Sequence, residues 1–330
     1  MIHNFFIYLL VVAISAAHAP HFPFFQSCFG DSASLVFPPY YEEALPIEIP
    51  DEYFSLNSSL KSRDKASEGL PLYYWQQKKF VNFGDYLSVQ LVERITGIPV
   101  RIFRRYPVKK EIKLLAVGSI MSFAANDDII WGSGITGKCL KREDYHFNQL
   151  DIRAVRGPLS RQFLIENFQQ NCPEVYGDPI LLFPYFFPEF KRKENPFYDY
   201  IIIPHFSETD LFPKSRFFNV VYPTDPWEEI IEKILDSRFV ISSSLHGIIV
   251  AEAYGIPARM LRITENEYLF KYEDYYLGTQ RPHFQFAASI EEALSMGGEP
   301  PFECDLKKLY EAFPFEFWPN AQFHKPTFPH

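Results

Sequence analysis

Cysteine is scarce in this chain: Cys28, Cys139, Cys172 and Cys304 are scattered over 330 residues with no CxxC pair. That spacing indicates neither a disulfide framework nor a zinc site. Positive charge is not in surplus either, because 32 Lys and Arg stand against 41 Asp and Glu for a net charge of −9. No block of like charge is long enough to form a nucleic-acid arm, so no nucleic-acid partner is expected. The apolar N-terminal run, Phe5 to Ala17, is short for a membrane span and lacks the usual preceding basic residue. What is present is an ordinary globular composition, 47% hydrophobic and 22% charged, with enough apolar mass for two domains. The 34 Phe and 20 Tyr serve core packing first and could include stacking platforms for sugar rings.

Ala17, His18 and Ala19 close the apolar run with a small-x-small pattern, which resembles a secretory signal cleaved after Ala19. An uncleaved anchor with membrane association and a buried first helix are the alternatives. Residues 20–68 form a proline- and aromatic-rich extension, with an Asn57-Ser58-Ser59 sequon that has meaning only in a eukaryotic secretory pathway.

From Leu72 the pattern alternates. LYYWQ, KLLAVGSI, DDIIWGSGI and DIRAVRG are strand candidates, and DYLSVQLVERITG and GPLSRQFLIENF are amphipathic helices. After the charged linker KRKENPFYD a second round begins. YIIIPHF, FFNVVYP and RFVISSS are strands, DPWEEIIEKILDS is a helix with an Asp cap and Pro at its first position, and DLKKLYEAFPFEFW is a last helix. The expectation is an α/β fold of two Rossmann-like domains, 69–193 and 194–330, facing across a cleft.

Ligands of parallel sheets bind at the carboxyl ends of strands, so the polar residues there are the candidates. In ISSSLHGIIVAEAYGIPA, Ser242, Ser243, Ser244, His246 and Gly247 stand where a strand hands over to a helix roughly from Gly247 to Tyr254. Unpaired first-turn N–H groups, hydroxyls and a group that can carry a proton suit an anionic substrate. A helix cap and a core histidine are the plainer reading. In VNFGDYLS, Gly84 makes a tight loop and Asp85 caps the next helix, leaving Asn82 and Asp85 able to face the cleft; Gly134 in WGSGI lies at a similar turn. Arg156, at the end of DIRAVRG, either grips a carboxylate or phosphate with two hydrogen bonds or pairs with an acid such as Asp151 or Asp178.

The ordered series NFGDYLS, LLAVGSI, IIWGSGI, IRAVRGPLSR, VYGDPILLFP, IIIPHF and ISSSLHGIIVAEAYGIPA, over roughly residues 72 to 290, resembles the polysaccharide pyruvyl transferase family. The resemblance implies a two-domain arrangement like the B-type (GT-B) glycosyltransferases. It also implies transfer of pyruvate from phosphoenolpyruvate, as a ketal, to a saccharide acceptor. Phosphoenolpyruvate would be a co-substrate; no cofactor and no metal are expected. His246, Arg156 and Asp85 become the catalytic candidates. Arg156, Ser243, Ser244, His246 and Gly247 would hold the donor, with His246 as imidazolium giving a proton or pairing with phosphate. Asn82, Asp85 and Gly134 would face the acceptor. The block KYEDYYLGT, with Tyr272, Tyr275 and Tyr276, is expected to pack the back of the donor domain with hydroxyls at the surface. A nucleotide-sugar glycosyltransferase on the same fold and a noncatalytic saccharide-binding protein are the rivals. The secretory-looking N-terminus conflicts with a donor that is a cytosolic metabolite, so a cytosol-facing anchored enzyme stands beside secretion.

Overall fold

Short, wholly apolar runs ending in glycine or polar residues become parallel strands covered on both faces. The computed structural model describes residues 69–76, 80–103 and 111–328. Strands β1 (Leu72–Tyr73), β2 (Leu114–Leu115), β3 (Ile129–Trp131) and β4 (Asp151–Ala154) form one parallel sheet in that order. Strands β5 (Ile201–Ile203), β6 (Val240–Ser242), β7 (Ala258–Leu261) and β8 (Phe286–Ala287) form a second, also parallel and in chain order. Ile201, Ile202 and Ile203 are all fully buried, which explains why β5 shows no alternation in sequence. The fold is therefore mixed α/β with two four-stranded parallel sheets, consistent with Rossmann-like halves.

Helix α1 (Phe83–Thr96) ends at Gly97, whose φ of 69° suits glycine and whose N–H bonds back to Glu93 O. Helix α2 (Pro158–Phe168) carries its proline in the first turn, where the missing N–H costs nothing. A short α3 (Phe183–Phe186) follows. Helix α4 (Trp227–Leu235) buries Ile230, Ile231, Ile234 and Leu235 along one face. Each of those side chains contributes roughly 1.5–3 kcal/mol by leaving water, so a charge at Ile231 would undo the packing of that helix. Helix α5 (Leu245–Ala253) is buried on nearly every side; α6 (Phe270–Gly278), α7 (Ile290–Met296) and α8 (Leu306–Glu311) complete the series.

Several expected details are corrected. Pro226, not Asp225, is the N-cap of α4, because the Asp225 carboxylate is taken by Tyr222 N–H and by Lys214. FFNVVYP is not a strand: it makes one parallel bridge, Ile202 to Val220, before Pro223 removes the next donor. The helix carrying His246 starts at Leu245, so the histidine lies inside its first turn. The last helix, which by sequence follows the second half, lies against the first: Trp131 Nε1 donates to Leu309 O at 2.8 Å, and Phe313 packs edge-on to Trp131. Leu87, Trp131, Ile230, Ile248 and Trp318 share one hydrophobic core, so both sheets belong to a single compact unit.

The expected signal segment, the extension 20–68 with its sequon, and Cys28 lie outside the described residues. Among the described residues no helix is long and apolar enough to cross a membrane.

Candidate active site

The two helix N-termini singled out in the sequence meet each other. Gly84, in the first turn of α1, lies so close to His246, in the first turn of α5, that a Cβ there would stand 2.0 Å from the imidazole Nδ1. Glycine at 84 is thus required by the histidine of the other half. On the other side of the ring, His246 Nε2 is 4.0 Å from Asp178 Oδ2. Asp178 caps the turn Pro179–Leu182 with its Oδ1, which accepts from Ile180 N–H, and its Oδ2 is buried without a hydrogen-bond partner among the described residues. Asp85 completes the group: its Oδ1 lies over Gly118, where a Cβ would come within 2.6 Å.

Electrostatics distinguishes these groups. Burial holds the Asp85 carboxyl up to about 8, with the nearby Lys271 pulling down and Asp178 pushing up. Burial also raises Asp178, to about 7, against the Ile180 N–H and the Arg156 charge. His246 moves the other way, down to about 3, through burial first and then the charges of Lys271, Arg156 and His205. The expectation of an imidazolium at His246 is therefore corrected: at neutral pH the imidazole is unprotonated, Asp85 keeps its proton, and Asp178, at about 7, is part ionised. Only 12% of the His246 side chain is exposed.

Other expected roles change with the geometry. Asn82, not Asp85, caps α1, its Oδ1 accepting from Gly84 N–H at 3.0 Å; Asp85 is thereby left for other work. Arg156 is 1% exposed and pairs with neither Asp151 nor Asp178. Its partner is Asp274 of α6, at 3.1 Å, while Nη1 donates to Ser119 Oγ at 2.6 Å and Nη2 to Ile135 O at 2.7 Å. These contacts engage Nε, Nη2 and one hydrogen of Nη1, leaving at most one N–H beside Ser119 for a ligand. A two-bond grip on an anion is not open to it. Arg153, the neighbour in the same motif, is held by Asp151 and Glu316 on the outside.

Gly134 packs against the Arg156 guanidinium, 2.4 Å from where its Cβ would be, so its small size serves that arginine. The Ser243 hydroxyl is spent within the protein, donating to Glu208 and accepting from His205 N–H at 2.8 Å. Ser242 likewise bonds Ile203 O and Ser244 O. Ser244 is the N-cap of α5, yet its side chain makes no capping hydrogen bond. Gly247 has no room for a Cβ, which would meet Ser242 Oγ at 2.5 Å and Ile203 Cβ at 3.2 Å. The first-turn N–H groups of Leu245, His246 and Gly247 have no intrahelical acceptors, so this turn, with the Ser244 hydroxyl, presents donors suited to an anion.

Sequence reasoning missed Lys271. KYEDYYLGT lies in helix α6, and it does not lie at the back of the second half: it packs on α2 through Asp274, which accepts from the Ser160 N–H and hydroxyl, and fastens the serine loop through Tyr272 Oη to Ser243 O at 2.6 Å. The tyrosine hydroxyls are buried, not at the surface; Tyr275 Oη donates to Glu252 at 2.6 Å. Lys271 is close enough to depress both His246 and His205, and burial lowers its own pKa against the pull of Glu267. Glu267 pairs with Lys271, with Lys138 at 3.0 Å and with His205 Nδ1 at 3.6 Å. The Glu267–Lys271 spacing of four residues was a local signal for this pair; Asp178 and Asp274 had none.

The family model for polysaccharide pyruvyl transferase matches residues 47–264. Uncharacterized protein L143 of Acanthamoeba polyphaga mimivirus is 27% identical over 231 residues, covering 66% of this chain and 79% of its own. Succinoglycan biosynthesis protein ExoV of Rhizobium meliloti is 28% identical over 239 residues, covering 68% of this chain and 71% of its own. The crystal structure of an uncharacterized protein from Klebsiella pneumoniae aligns with a TM-score of 0.40 at 14% identity, over 72% of this chain and 98% of that one. With the motifs in order and two thirds of the chain matched, this protein belongs to the polysaccharide pyruvyl transferase family.

Proposed function

We propose that the protein transfers the pyruvyl group of phosphoenolpyruvate to two hydroxyls of one saccharide, forming a ketal and releasing phosphate. In this reading residues 69–193 form the acceptor half and 194–330 the donor half, arranged like a B-type glycosyltransferase. The supporting observation is the pairing of a carboxylic acid that keeps its proton at neutral pH with an unprotonated imidazole backed by a buried carboxyl.

Ketal formation needs both. The methylene carbon of the enol must receive a proton, and Asp85, protonated up to about pH 8, supplies it. The neighbouring carbon is then attacked by a sugar hydroxyl, whose proton passes to His246. Asp178, 4.0 Å away, stabilises the resulting imidazolium, much as a buried aspartate does behind a catalytic histidine. Phosphate departs and a second hydroxyl closes the ketal. Of the two hydroxyl protons, one replaces that given to the methyl group and the other leaves with phosphate. Lys271, the first turn of α5 and the remaining N–H of Arg156 offset the charge of the donor.

The test is a donor comparison. Purified protein is incubated with a saccharide mixture and either phosphoenolpyruvate or nucleotide sugars, and released phosphate or nucleotide is measured. Acceptor-dependent phosphate release from phosphoenolpyruvate supports the proposal; transfer from a nucleotide sugar alone overturns it in favour of a glycosyltransferase.

A further inference from the structure

Beyond the acid–base cluster, four aromatic rings gather where the leading edges of the two sheets approach. Trp75 follows β1, and His205 and Phe206 follow β5, so the rings sit at the carboxyl ends of the first strand of each sheet. Phe206 is the centre: its ring lies 5.1 Å from Trp75, 5.8 Å from Phe80 and 4.4 Å from His205, tilted by 44–48° in each case. None of the four is fully buried. Trp75 also packs on the core beneath it, and all four rings keep part of their surface exposed. This partly exposed group of rings drawn from both halves forms an apolar face.

This face is continuous with the candidate active site and rigidly tied to it. His205 Nδ1 stands 3.6 Å from Glu267, and burial holds its imidazole down to about 3, so it is neutral beside Phe206. The turn Phe206–Leu211 is fixed by buried Glu208, which bonds Ser243 of the loop before α5 and Thr264 after β7. Glu267, with Lys138 and Lys271, supplies charged hydrogen-bonding groups at the rim. Although burial opposes ionisation, Lys271, His205 and Lys138 hold the Glu267 carboxyl at about 2, so it accepts hydrogen bonds throughout the neutral range.

We infer that Trp75 and Phe206 form a stacking platform for a pyranose ring of the acceptor, with Glu267 receiving its hydroxyls. A pyranose offers an apolar C–H face and a rim of O–H donors, which matches rings beside a carboxylate. This inference rests on the pyruvyl-transfer reading only for calling the sugar an acceptor; the binding itself can be tested without turnover.

Saturation-transfer NMR on the full chain, with neutral methyl pyranosides as probes and irradiation of the aromatic protons, tests it. The wild-type protein should pass saturation to ring C–H protons of at least one pyranoside. Phe206→Leu and Trp75→Leu should abolish that transfer, and Phe206→Tyr should retain it. In turnover, each leucine variant should raise the KM for glycan about tenfold, the loss of one ring stacking contact, while the KM for phosphoenolpyruvate stays within about twofold. Saturation transfer that survives both leucine variants, or its absence from wild type while phosphate is still released with a glycan, overturns the platform and leaves the reaction standing. Ring-dependent binding with no pyruvyl transfer supports the platform and defeats the reaction.

Discussion

Asp85→Asn separates chemistry from stability. The carboxyl ionises near 3.8 when free and near 8 in the folded protein. Below pH 3.8 folded and unfolded chains both hold the proton. Between there and about 8 the folded chain keeps a proton that the unfolded chain has lost, so this group makes stability fall as pH rises. From pH 5 to pH 7 the fall from Asp85 alone is roughly 3 kcal/mol. Asp178 acts with the same sign up to about 7, whereas His246, held down to about 3, makes stability fall as pH drops below 6.5. Asparagine stays neutral at every pH, so subtracting the variant's curve from that of wild type cancels Asp178 and His246. Urea unfolding at pH 5 and pH 7 should therefore show Asp85→Asn gaining roughly 3 kcal/mol on wild type over that interval. The same variant should lose turnover by about a hundredfold or more, because a carboxamide cannot donate the proton. Parallel stability curves for the two proteins would mean that Asp85 is already ionised when folded, and its role as the acid would fall.

Gly84→Ala drives a methyl group into the His246 ring, so turnover should collapse while circular dichroism of the folded fraction stays native; normal kinetics would place His246 elsewhere. Arg156→Met leaves Asp274 buried without its cation and should cost about 3–5 kcal/mol, and the double variant Arg156→Met/Asp274→Leu, which also takes the acceptor from the Ser160 N–H and hydroxyl, should recover only part of it by thermal melting. Recovery of stability without recovery of donor KM would assign the last Arg156 N–H to the substrate. Lys271→Met should raise the KM for phosphoenolpyruvate by about tenfold or more through loss of a desolvated charge partner, and a titration of His246 by NMR should show its pKa rising, since Lys271 is the leading charge that depresses it.

Most strand candidates were legible because buried parallel strands are apolar throughout, whereas Gly84 and Gly134 were read as turns and Gly247 as part of the donor site. What each glycine approaches was not legible. Gly84 is small for His246, Gly134 for Arg156 and Gly247 for Ser242 and Ile203, and those partners lie up to 162 positions away in the chain. The same distance in sequence hid the ion pair that neutralises Arg156, because Asp274 is one acid in a tyrosine-rich block with no local mark. Protonation states were misjudged for a related reason. A histidine at a helix N-terminus reads as a charged group, but only the fold reveals that it is buried and that the Lys271 and Arg156 cations lie near it. Asp85 was read as a cap because Asp is a good cap; Asn82, three residues earlier, took that position and left the acid buried. The tyrosines of helix α6, at i, i+3 and i+4, do pack the core as read, but they overshadowed the lysine at its edge.

The central claim is that one site joins phosphoenolpyruvate to two hydroxyls of a sugar. The direct measurement is structural analysis, by mass spectrometry and carbon NMR, of glycans incubated with the protein and carbon-labelled phosphoenolpyruvate. The account predicts a labelled methyl group and a quaternary carbon bonded to two sugar oxygens, formed with one equivalent of phosphate and lost in Asp85→Asn and His246→Ala. A labelled enol ether with its methylene intact, or no label in any glycan while a nucleotide sugar is consumed, would contradict it.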